Sequence, residues 1–517
     1  MVRLKNYVLD RWQEGQAPFR TLVDPATEQV VAETSSNGLD FAGILTHART
    51  VGGPGLRSLT FAERGALLKA MSRALHAQRD RLLDVAMTNG GNTRSDAKFD
   101  IDGATFTLSH YARIGAALGD QKLLADGESQ VINPAMARFH GRHFWAPLRG
   151  AAVHINAFNF PAWGTFEKAA CALLAGMPII TKPATSTSWL AYEMSRIVVD
   201  AEILPAGAFQ FIGAGVGDLL DHLTGQDVLA FTGSADTGAL LRGVAGHVSG
   251  SARVNVEADS LNALVVGPDV ERRDAVYDAV VRNITTEMTQ KAGQKCTAIR
   301  RIMVPAGLVD ALVEDVGESL DRIRVGVPTV KGVRMGPLTT AGQLRDYREG
   351  VAKLARVARI VYGSPSEVCA EGAEGKGYFA APVLLQVDAD TDAGPVHDHE
   401  VFGPVATVLA YDGSAAAAGA LVARGKGSLV TSVFSSDRDF LGELLPEVAA
   451  WNGRVLTVDK KVADQATPHG MVLPGLLHGG PGRAGGGAEL GGERGLHFYM
   501  NRTAVQGNRA LIAKLLG

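Results

Sequence analysis

Residues 151–182 read AAVHINAFNFPAWGTFEKAACALLAGMPIITK, and this stretch decides the fold class. Its first apolar run, Ala151 to Ala157, predicts a buried strand. The segment that follows places apolar side chains on one helical face: Phe166, Ala170, Leu173, Leu174 and Met177. Gly176 and Pro178 end that helix, and Ile179 to Thr181 predicts the next strand. A strand, a helix and a second strand in this order indicate a parallel sheet with crossover helices.

The same alternation continues beyond residue 182. Three further apolar runs predict strands at Phe209 to Ile212, Val228 to Phe231 and Val254 to Val256. Polar residues or glycine stand at or just after the end of the predicted strands: Asn159, Lys182, Gly213, Ser234 and Glu257. Because open α/β sheets bind ligands at the carboxyl ends of their parallel strands, this pattern predicts a nucleotide site.

The whole chain has the composition of a large globular protein. Its 517 residues, 46% apolar and 20% charged, predict about two to four domains. The 51 basic and 54 acidic residues leave a net charge of −3, so neither a nucleic-acid partner nor a membrane partner is expected. Cys171, Cys296 and Cys369 are too widely spaced for a disulfide framework or a zinc module. Since it has no signal peptide and no apolar run of about 18 residues, the chain is expected to be cytoplasmic.

Two turns have the composition of nucleotide-binding loops. Gly213-Ala-Gly215-Val-Gly217 is predicted to follow a strand and to open a helix, which would let a pyrophosphate approach the backbone. It lacks the GxGxxG spacing, so a simple glycine-rich turn is an equal alternative. Phe231-Thr-Gly-Ser-Ala-Asp-Thr-Gly238 is a second strand-to-helix turn, with small hydroxyl side chains. Two such turns in one sheet favour a cofactor site.

Two residues have the chemistry of a catalytic pair. Cys296 follows an amphipathic stretch, and Lys291 and Lys295 are expected to favour its thiolate electrostatically. Most lone cysteines are packing residues, so that role is the alternative. Glu257 ends an apolar strand and is either a general base or a surface ion-pair partner. Spacing alone does not distinguish these roles.

Six short motifs occur in an order that resembles the aldehyde dehydrogenase superfamily. They are Asn159-Phe-Pro161, Lys182-Pro183-Ala184, Phe231-Thr-Gly-Ser234, Glu257, Gly293-Gln-x-Cys296 and Glu400-Val-Phe-Gly-Pro404. The match extends over nearly the whole chain. The tail segments Pro481 to Gly492 and Asn501 to Gln506 are more specific than these motifs, because they point to one branch of the superfamily. They resemble the branch that oxidises CoA-linked semialdehydes when bacteria open aromatic rings as CoA thioesters.

The resemblance implies an α/β fold with three parts. A Rossmann-like cofactor-binding domain is expected at 1–130 and 150–257, and an α/β catalytic domain at 258–480. A small β extension for oligomerisation is expected at 131–149 and 481–517. The alternating stretch Ala137 to Trp145 and the tail Thr503 to Gln506 match that extension. A homodimer is therefore expected, with a dimer of dimers as the alternative.

The resemblance also implies a mechanism. The Cys296 thiolate would attack an aldehyde, and the Asn159 side chain with the Cys296 backbone N–H would stabilise the oxyanion. Glu257 would activate water to open the resulting thioester. Relatives that pass the acyl group to CoA usually lack this glutamate, so its presence favours hydrolysis. Any CoA would then belong to the far end of the substrate.

NADP is the expected cofactor. Thr185 stands where NAD-preferring relatives commonly carry a glutamate that binds the adenosine ribose. Thr185, Ser186 and Lys182 could instead donate to a 2′-phosphate. The alternative is that Thr185 caps a helix and that NAD is also used. The resemblance implies further cofactor contacts at Phe158, Gly213, Gly217, Phe231, Thr232, Gly233, Ser234, Glu400 and Phe402.

The histidines show no metal-ligand spacing, so no metal is expected. His478 lies in the glycine-rich tail and is expected on the surface, with a place at the substrate mouth as the alternative. The resemblance implies oxidation of the CoA-linked semialdehyde of aerobic benzoate degradation as the favoured activity. The alternatives are the oxepin-CoA branch of phenylacetate degradation, whose dehydrogenase is commonly fused to a hydratase, and a non-catalytic structural homologue. Because the chain stops at Gly517, its length favours the benzoate assignment.

Overall fold

The computed structural model describes residues 1–388 and 393–516. Its β-strands are β1 Val2–Leu4, β2 Asn6–Val8, β3 Arg11–Gln13, β4 Arg20–Val23, β5 Val30–Thr34, β6 Leu124–Val131, β7 Phe139–Pro147, β8 Ala152–Ile155, β9 Ile179–Lys182, β10 Phe209–Phe211, β11 Val228–Thr232, β12 Arg253–Glu257, β13 Ala263–Val266, β14 Arg301–Pro305, β15 Arg359–Tyr362, β16 Val383–Val387, β17 Val405–Tyr411, β18 Ser428–Phe434, β19 Asn452–Val458, β20 Leu477–Gly480, β21 Gly487–Leu490 and β22 Met500–Asn508. Its α-helices are α1 Phe41–His47, α2 Gly53–Ser58, α3 Phe61–Ala77, α4 Arg79–Gly90, α5 Arg94–Leu118, α6 Trp163–Ala175, α7 Ser188–Asp200, α8 Ala235–Arg242, α9 Ala245–Gly250, α10 Ala275–Thr289, α11 Val309–Asp321, α12 Ala341–Leu354, α13 Gly394–Asp398, α14 Ala415–Ala423, α15 Arg438–Ala449 and α16 Arg509–Leu516.

The first large sheet has the strand order β12-β11-β8-β9-β10-β2-β3. Neighbours from β12 to β10 are parallel, and β2 and β3 add antiparallel strands at one edge. The predicted strands between residues 151 and 257 are these parallel ones, so this part of the prediction is confirmed. The chain runs from β8 outward to β10 and then returns to β11 on the other side of β8. Because the strand order reverses there, a crevice opens at the carboxyl ends of β8 and β11.

Helices α6 and α7 cross over between these strands, as the sequence predicts. Helix α6 ends at Ala175, and Gly176 follows with φ 91°, a left-handed C-cap that favours glycine. Nearly every side chain of α6 is buried, including those of Glu167 and Lys168. This helix therefore carries two charged groups into the interior, next to the end of β12.

The second large sheet has the order β15-β16-β17-β14-β13-β18-β19. It is parallel apart from β15, which pairs antiparallel with β16. Successive residues of β13 point to opposite faces, so Leu264 and Val265 belong to two separate apolar cores. The segment that contains Cys296 leads directly into β14. Helices and sheets in this arrangement confirm the predicted α/β fold class.

A small antiparallel sheet has the order β22-β7-β6. β7 pairs with β22 from Phe139 opposite Asn508 to Pro147 opposite Met500. Strand β6 begins at Leu124, before the predicted boundary at residue 131. The domain boundaries and the role of this sheet in oligomerisation stay predictions. Within the described ranges, no helix is both long enough and apolar enough to cross a membrane.

Candidate active site

A cavity opens beside the carboxyl ends of β8, β11 and β12. Its wall includes the three predicted catalytic residues, Asn159, Glu257 and Cys296. Much of the remaining lining is apolar or aromatic: Phe99, Ala157, Phe160, Trp163 and Val472. An apolar wall with a few convergent polar groups is typical of a small-molecule site. Sequence reasoning missed Phe99 because helix α5 carries no motif, and only packing brings it to the wall.

The backbone before Cys296 follows an unusual path. Three consecutive residues adopt left-handed conformations: Lys291, Ala292 and Gly293, with φ of 53°, 52° and 67°. A Cβ on Gly293 would lie 2.3 Å from the Gly403 carbonyl oxygen, so glycine is required there. The guanidinium of Arg300 donates to the carbonyls of Gly403 at 2.8 Å and Gly293 at 2.9 Å. These bonds fasten the Cys296 loop to the segment that follows Glu400.

Two buried asparagines hold the loop around Cys296. Asn159 Nδ2 donates to the carbonyl of Gln294 at 3.0 Å. Asn262 Nδ2 donates to the carbonyls of Cys296 at 2.8 Å and Ala298 at 2.9 Å. An amide nitrogen carries two hydrogens, so Asn159 keeps one N–H for an oxyanion beside the sulfur. Asn262 was missed by sequence reasoning, because an asparagine within an apolar stretch indicates burial but not a partner.

His478 lies in the cavity wall, and the surface position expected for it is wrong. His478 is 5% exposed, and its Nε2 lies 3.2 Å from Glu257 Oε1. The hairpin β20–β21 explains the position, because its register places His478 opposite Glu489 and over the end of β12. Hairpin placement depends on tertiary contacts that a glycine-rich sequence does not specify.

Burial and neighbouring charges decide the protonation of the pair Glu257 and Cys296. Burial opposes ionisation of Glu257, but the contact with His478 outweighs it and lowers the pKa of this carboxyl to about 2. Thr232 Oγ1 also donates to Glu257 Oε2 at 3.4 Å. Burial, followed by the charge of Glu257, raises the pKa of Cys296 well above its ordinary value. The sulfur is therefore a neutral thiol at pH 7 in this arrangement.

The expected activation of Cys296 by lysines is wrong. Lys291 Nζ lies 3.8 Å from Asp100, and Lys295 Nζ lies 2.8 Å from Glu287. Both ammonium groups are buried and paired with carboxylates, so neither presents an uncompensated charge to the sulfur. The carboxylate of Glu257 is the charged group that acts most strongly on the thiol.

Replacing Glu257 with glutamine should make the Cys296 thiol more acidic. The substitution removes the negative charge that opposes thiolate formation, so alkylation of Cys296 by iodoacetamide at pH 8 should become several-fold faster. The rate is measured by mass spectrometry of the Cys296 peptide, with the exposed Cys369 as the internal control. Alkylation no faster than in the wild type would contradict this electrostatic effect.

A buried charged cluster lies behind Glu257. Lys168 Nζ is 3.0 Å from Glu489 Oε2 and 3.4 Å from Glu167 Oε1. Asn255 Nδ2 donates to Glu489 Oε1 at 3.0 Å. Burial raises the pKa of Glu167 to about 7. Sequence reasoning missed this cluster, although two adjacent charged residues inside the otherwise apolar helix α6 indicate a buried ion pair.

The residues predicted to bind a 2′-phosphate lie at the end of β9 and in the turn that follows it. Lys182 ends that strand, and burial lowers the pKa of its ammonium. Thr185 and Ser186 are half-buried in the short 3₁₀ turn that precedes α7. The capping role considered for Thr185 is wrong, because α7 has Thr187 as its N-cap and the turn has Ala184. Neither helix start uses the Thr185 hydroxyl, which leaves that group for a ligand.

The first glycine turn does not open an α-helix, contrary to the prediction. The residues after Gly217 form only the 3₁₀ turn Leu219–His222. Gly213 N–H donates to Asn6 Oδ1 at 2.9 Å, and a Cβ on Gly217 would lie 2.2 Å from the Phe41 ring. A Cβ on Gly213 would also lie 2.7 Å from Thr34 Oγ1, so internal packing explains both glycines, which favours the glycine-rich-turn alternative. Their contact with a cofactor stays a prediction.

The second turn does lead into a helix, α8. Ser234 caps this helix: its Oγ accepts from the Thr237 N–H at 3.3 Å and donates to Thr237 Oγ1 at 2.9 Å. A Cβ on Gly233 would lie 2.4 Å from the Phe231 ring, so a larger residue would have to displace that buried ring. Thr232, the last residue of β11, therefore stands beside the positive end of a helix dipole. This geometry suits the predicted cofactor role of the turn.

Glu400 and two phenylalanines form a further group predicted to bind the cofactor. The rings of Phe158 and Phe402 contact edge to face, with centroids 5.8 Å apart. Glu400 Oε1 lies 3.7 Å from Arg300 Nε and is a buried atom that has no hydrogen-bond partner among the described residues. Burial raises the pKa of Glu400 to about 8. A ribose hydroxyl would satisfy that oxygen, so the residues present fit a nicotinamide dinucleotide.

Comparison with known proteins identifies the family. The aldehyde dehydrogenase family profile matches residues 12–505. Over 481 residues, 93% of both chains, the protein is 47% identical to 3,4-dehydroadipyl-CoA semialdehyde dehydrogenase of Aromatoleum evansii. The solved betaine aldehyde dehydrogenase of Staphylococcus aureus in complex with NAD⁺ is similar with a TM-score of 0.84 at 21% identity, covering 98% of this chain and 94% of that one. A solved 3,6-anhydro-L-galactose dehydrogenase in complex with NAP has a TM-score of 0.83 at 21% identity, covering 98% of this chain and 100% of that one. The chain belongs to the aldehyde dehydrogenase family.

Proposed function

We propose that the protein oxidises 3,4-dehydroadipyl-CoA semialdehyde to the carboxylic acid in aerobic benzoate degradation, using NADP and acting in the cytoplasm. The likeness to the Aromatoleum evansii enzyme over 93% of both chains supports this substrate. The observation that carries the chemistry is the convergence of Asn159, Glu257 and Cys296 on one cavity. A structural homologue without turnover would need none of these side chains, so their joint presence argues for catalysis.

Cys296 is the nucleophile in this proposal. Once its thiol has given its proton to solvent water, the sulfur bonds to the aldehyde carbon and forms a thiohemiacetal. The free N–H of Asn159 and the Cys296 backbone N–H stabilise the oxygen that becomes negative. A bound nicotinamide would supply the hydride acceptor for that carbon, and Cys296 would then carry the acyl group as a thioester. Glu400, Phe402 and Lys182 would hold the dinucleotide.

Glu257 completes the reaction by activating water. It removes a proton as the water oxygen bonds to the thioester carbon; the carbon–sulfur bond then breaks and the acid leaves. Transfer to CoA would not need this base, so a glutamate facing Cys296 supports hydrolysis. The CoA of the substrate then remains attached at its other end.

The substrate proposal is tested by steady-state reduction of NADP and NAD with CoA-linked and free aldehydes. Oxidation of the CoA-linked semialdehyde is expected with a kcat/KM well above that of a free aldehyde of equal chain length. The CoA part adds contacts that lower the free energy of the transition state relative to free enzyme and substrate. Equal kcat/KM values for the two substrates would overturn the substrate assignment and leave the family assignment intact.

Replacing Thr185 with glutamate should reverse the cofactor preference. The new carboxylate would repel a 2′-phosphate and accept hydrogen bonds from a ribose diol. We expect kcat/KM for NADP to fall by about 10- to 100-fold, a cost of roughly 1.4 to 2.8 kcal/mol, while that for NAD holds or rises. Thr185→Gln, which has the same size without the charge, is the matched control. An unchanged NADP/NAD ratio in Thr185→Glu would contradict the role of this position.

A homodimer is expected through the sheet β22-β7-β6. Val131, Ile132 and Phe139 are 48%, 49% and 40% exposed on or beside it, which is costly for a surface facing water. Light scattering coupled to size-exclusion chromatography should give twice the chain mass of 54.3 kDa. Replacing Phe139 with aspartate should shift the protein toward the monomer. A wild-type protein that elutes as a monomer at every concentration would contradict this expectation.

A further inference from the structure

His478 is a buried titratable group in the cavity wall that the steps above do not use. Its ring contacts Glu257 at 3.2 Å, and Glu257 is the group that activates water in the proposed reaction. Both residues are buried, so solvent does not screen the contact. His478 stands on β20 and Glu257 at the end of β12, so the contact joins two elements that are otherwise far apart in the chain.

The charges around His478 favour its protonated form. Three carboxylates act on the imidazole: Glu257 from β12, Glu167 from α6 and Glu489 from β21. Within this group the cation of Lys168 is paired with Glu167 and Glu489. Burial opposes the charge on His478, but the carboxylates outweigh it and raise the pKa of the imidazole above 6.5. Without the imidazolium, three buried carboxylates would face one lysine.

We propose that His478 is a positioning residue for Glu257: while protonated, its Nε2 holds the carboxylate beside Cys296, and while neutral, the same nitrogen takes over the proton that Glu257 removes from the hydrolytic water. This inference rests on the proposed function, because it concerns the hydrolysis of an acyl thioester on Cys296.

The step balances without another reactant. Water gives its oxygen to the thioester carbon and one proton to Glu257, which passes that proton to a neutral His478 Nε2. The carbon–sulfur bond breaks, and the thiolate regains a proton from the Glu257–His478 pair. An imidazolium already paired with Glu257 cannot accept the proton, so hydrolysis should need the neutral ring. The deacylation rate is therefore expected to rise with pH until His478 has lost its proton, with a midpoint above 6.5.

The test uses 4-nitrophenyl acetate, an activated ester that acylates a cysteine directly without any hydride transfer. The burst of nitrophenolate reports acylation of Cys296, and the steady state reports deacylation. Two variants separate the roles of the ring. His478→Gln retains an N–H near Glu257 but cannot take a proton, and His478→Phe retains only the ring volume. His76→Gln, on the exposed face of α3, is the control.

We expect all four proteins to show the burst. At pH 8 deacylation should slow by roughly 10-fold in His478→Gln and by up to about 100-fold in His478→Phe, while His76→Gln behaves as the wild type. The wild type should show the rise with pH, and His478→Gln should not. Circular dichroism checks folding, and if His478→Phe does not fold, the pH profile of His478→Gln decides the question.

Three results would overturn the proposal. They are a wild-type pH profile in His478→Gln, a deacylation rate in folded His478→Phe within twofold of the wild type, and equal slowing of burst and steady state. Ester turnover with the expected pattern but no aldehyde oxidation by any substrate would reject the proposed function alone. Aldehyde oxidation without the pattern would reject only the role of His478.

Discussion

Cys296→Ala is expected to abolish formation of reduced cofactor from any aldehyde. Without the sulfur no thiohemiacetal forms. Among the described residues that line the cavity, Cys296 is the only cysteine. We expect kcat to fall by about 10⁴-fold or more, as for other enzymes that lose their nucleophile. The rate is followed by the absorbance of the reduced nicotinamide. The variant should retain its fold, because Cys296 is only half-buried.

Cys369→Ala is the matched control for this substitution, since Cys369 is exposed. That variant should oxidise aldehydes at the wild-type rate. Cofactor binding to Cys296→Ala, measured by titration, should stay close to that of the wild type, because the residues that would hold the dinucleotide are unchanged. Residual oxidation within tenfold of the wild type would remove Cys296 from the mechanism.

Glu257→Gln is expected to stall the reaction after hydride transfer. The amide cannot accept a proton from water, so steady-state turnover should fall by about 10²- to 10⁴-fold. The first turnover should remain, and acyl-enzyme should accumulate on Cys296. Rapid-quench mass spectrometry detects it as an increase in the mass of the Cys296 peptide equal to the acyl group.

Glu257→Asp is the comparison variant, since it keeps the carboxylate but shortens its reach. It should recover part of the turnover that Glu257→Gln loses. If acyl-enzyme does not accumulate in Glu257→Gln while turnover is lost, Glu257 acts before hydride transfer and not in hydrolysis.

The parallel sheet could be predicted from the sequence because each of its strands is a short apolar run with a polar residue at its end. Alternation of such runs with amphipathic segments leaves few other folds. The sequence predicted an α-helix after the first glycine turn, and this prediction was wrong. The 3₁₀ turn Leu219–His222 replaces it, and packing of Gly217 against Phe41 shapes that region.

The convergence of Asn159, Glu257 and Cys296 followed from motif order, but their electrostatics did not. Lys291 and Lys295 are close to Cys296 in sequence, and the sequence alone favoured a stabilised thiolate. Asp100 and Glu287, from two other helices, compensate both lysines. Charge compensation depends on which elements pack together, and sequence distance does not report it.

The amino-acid sequence by itself determined the family, the parallel strands between residues 151 and 257 and the three residues that meet at the cavity, since local periodicity and spaced motifs record backbone geometry. Only the tertiary structure decided that His478 faces Glu257 and that Thr185 caps no helix. The physical reason is that the contact between His478 and Glu257 joins strands far apart in the chain, where burial and the summed charge of neighbours, rather than any local pattern, set the protonation and the partners of a side chain.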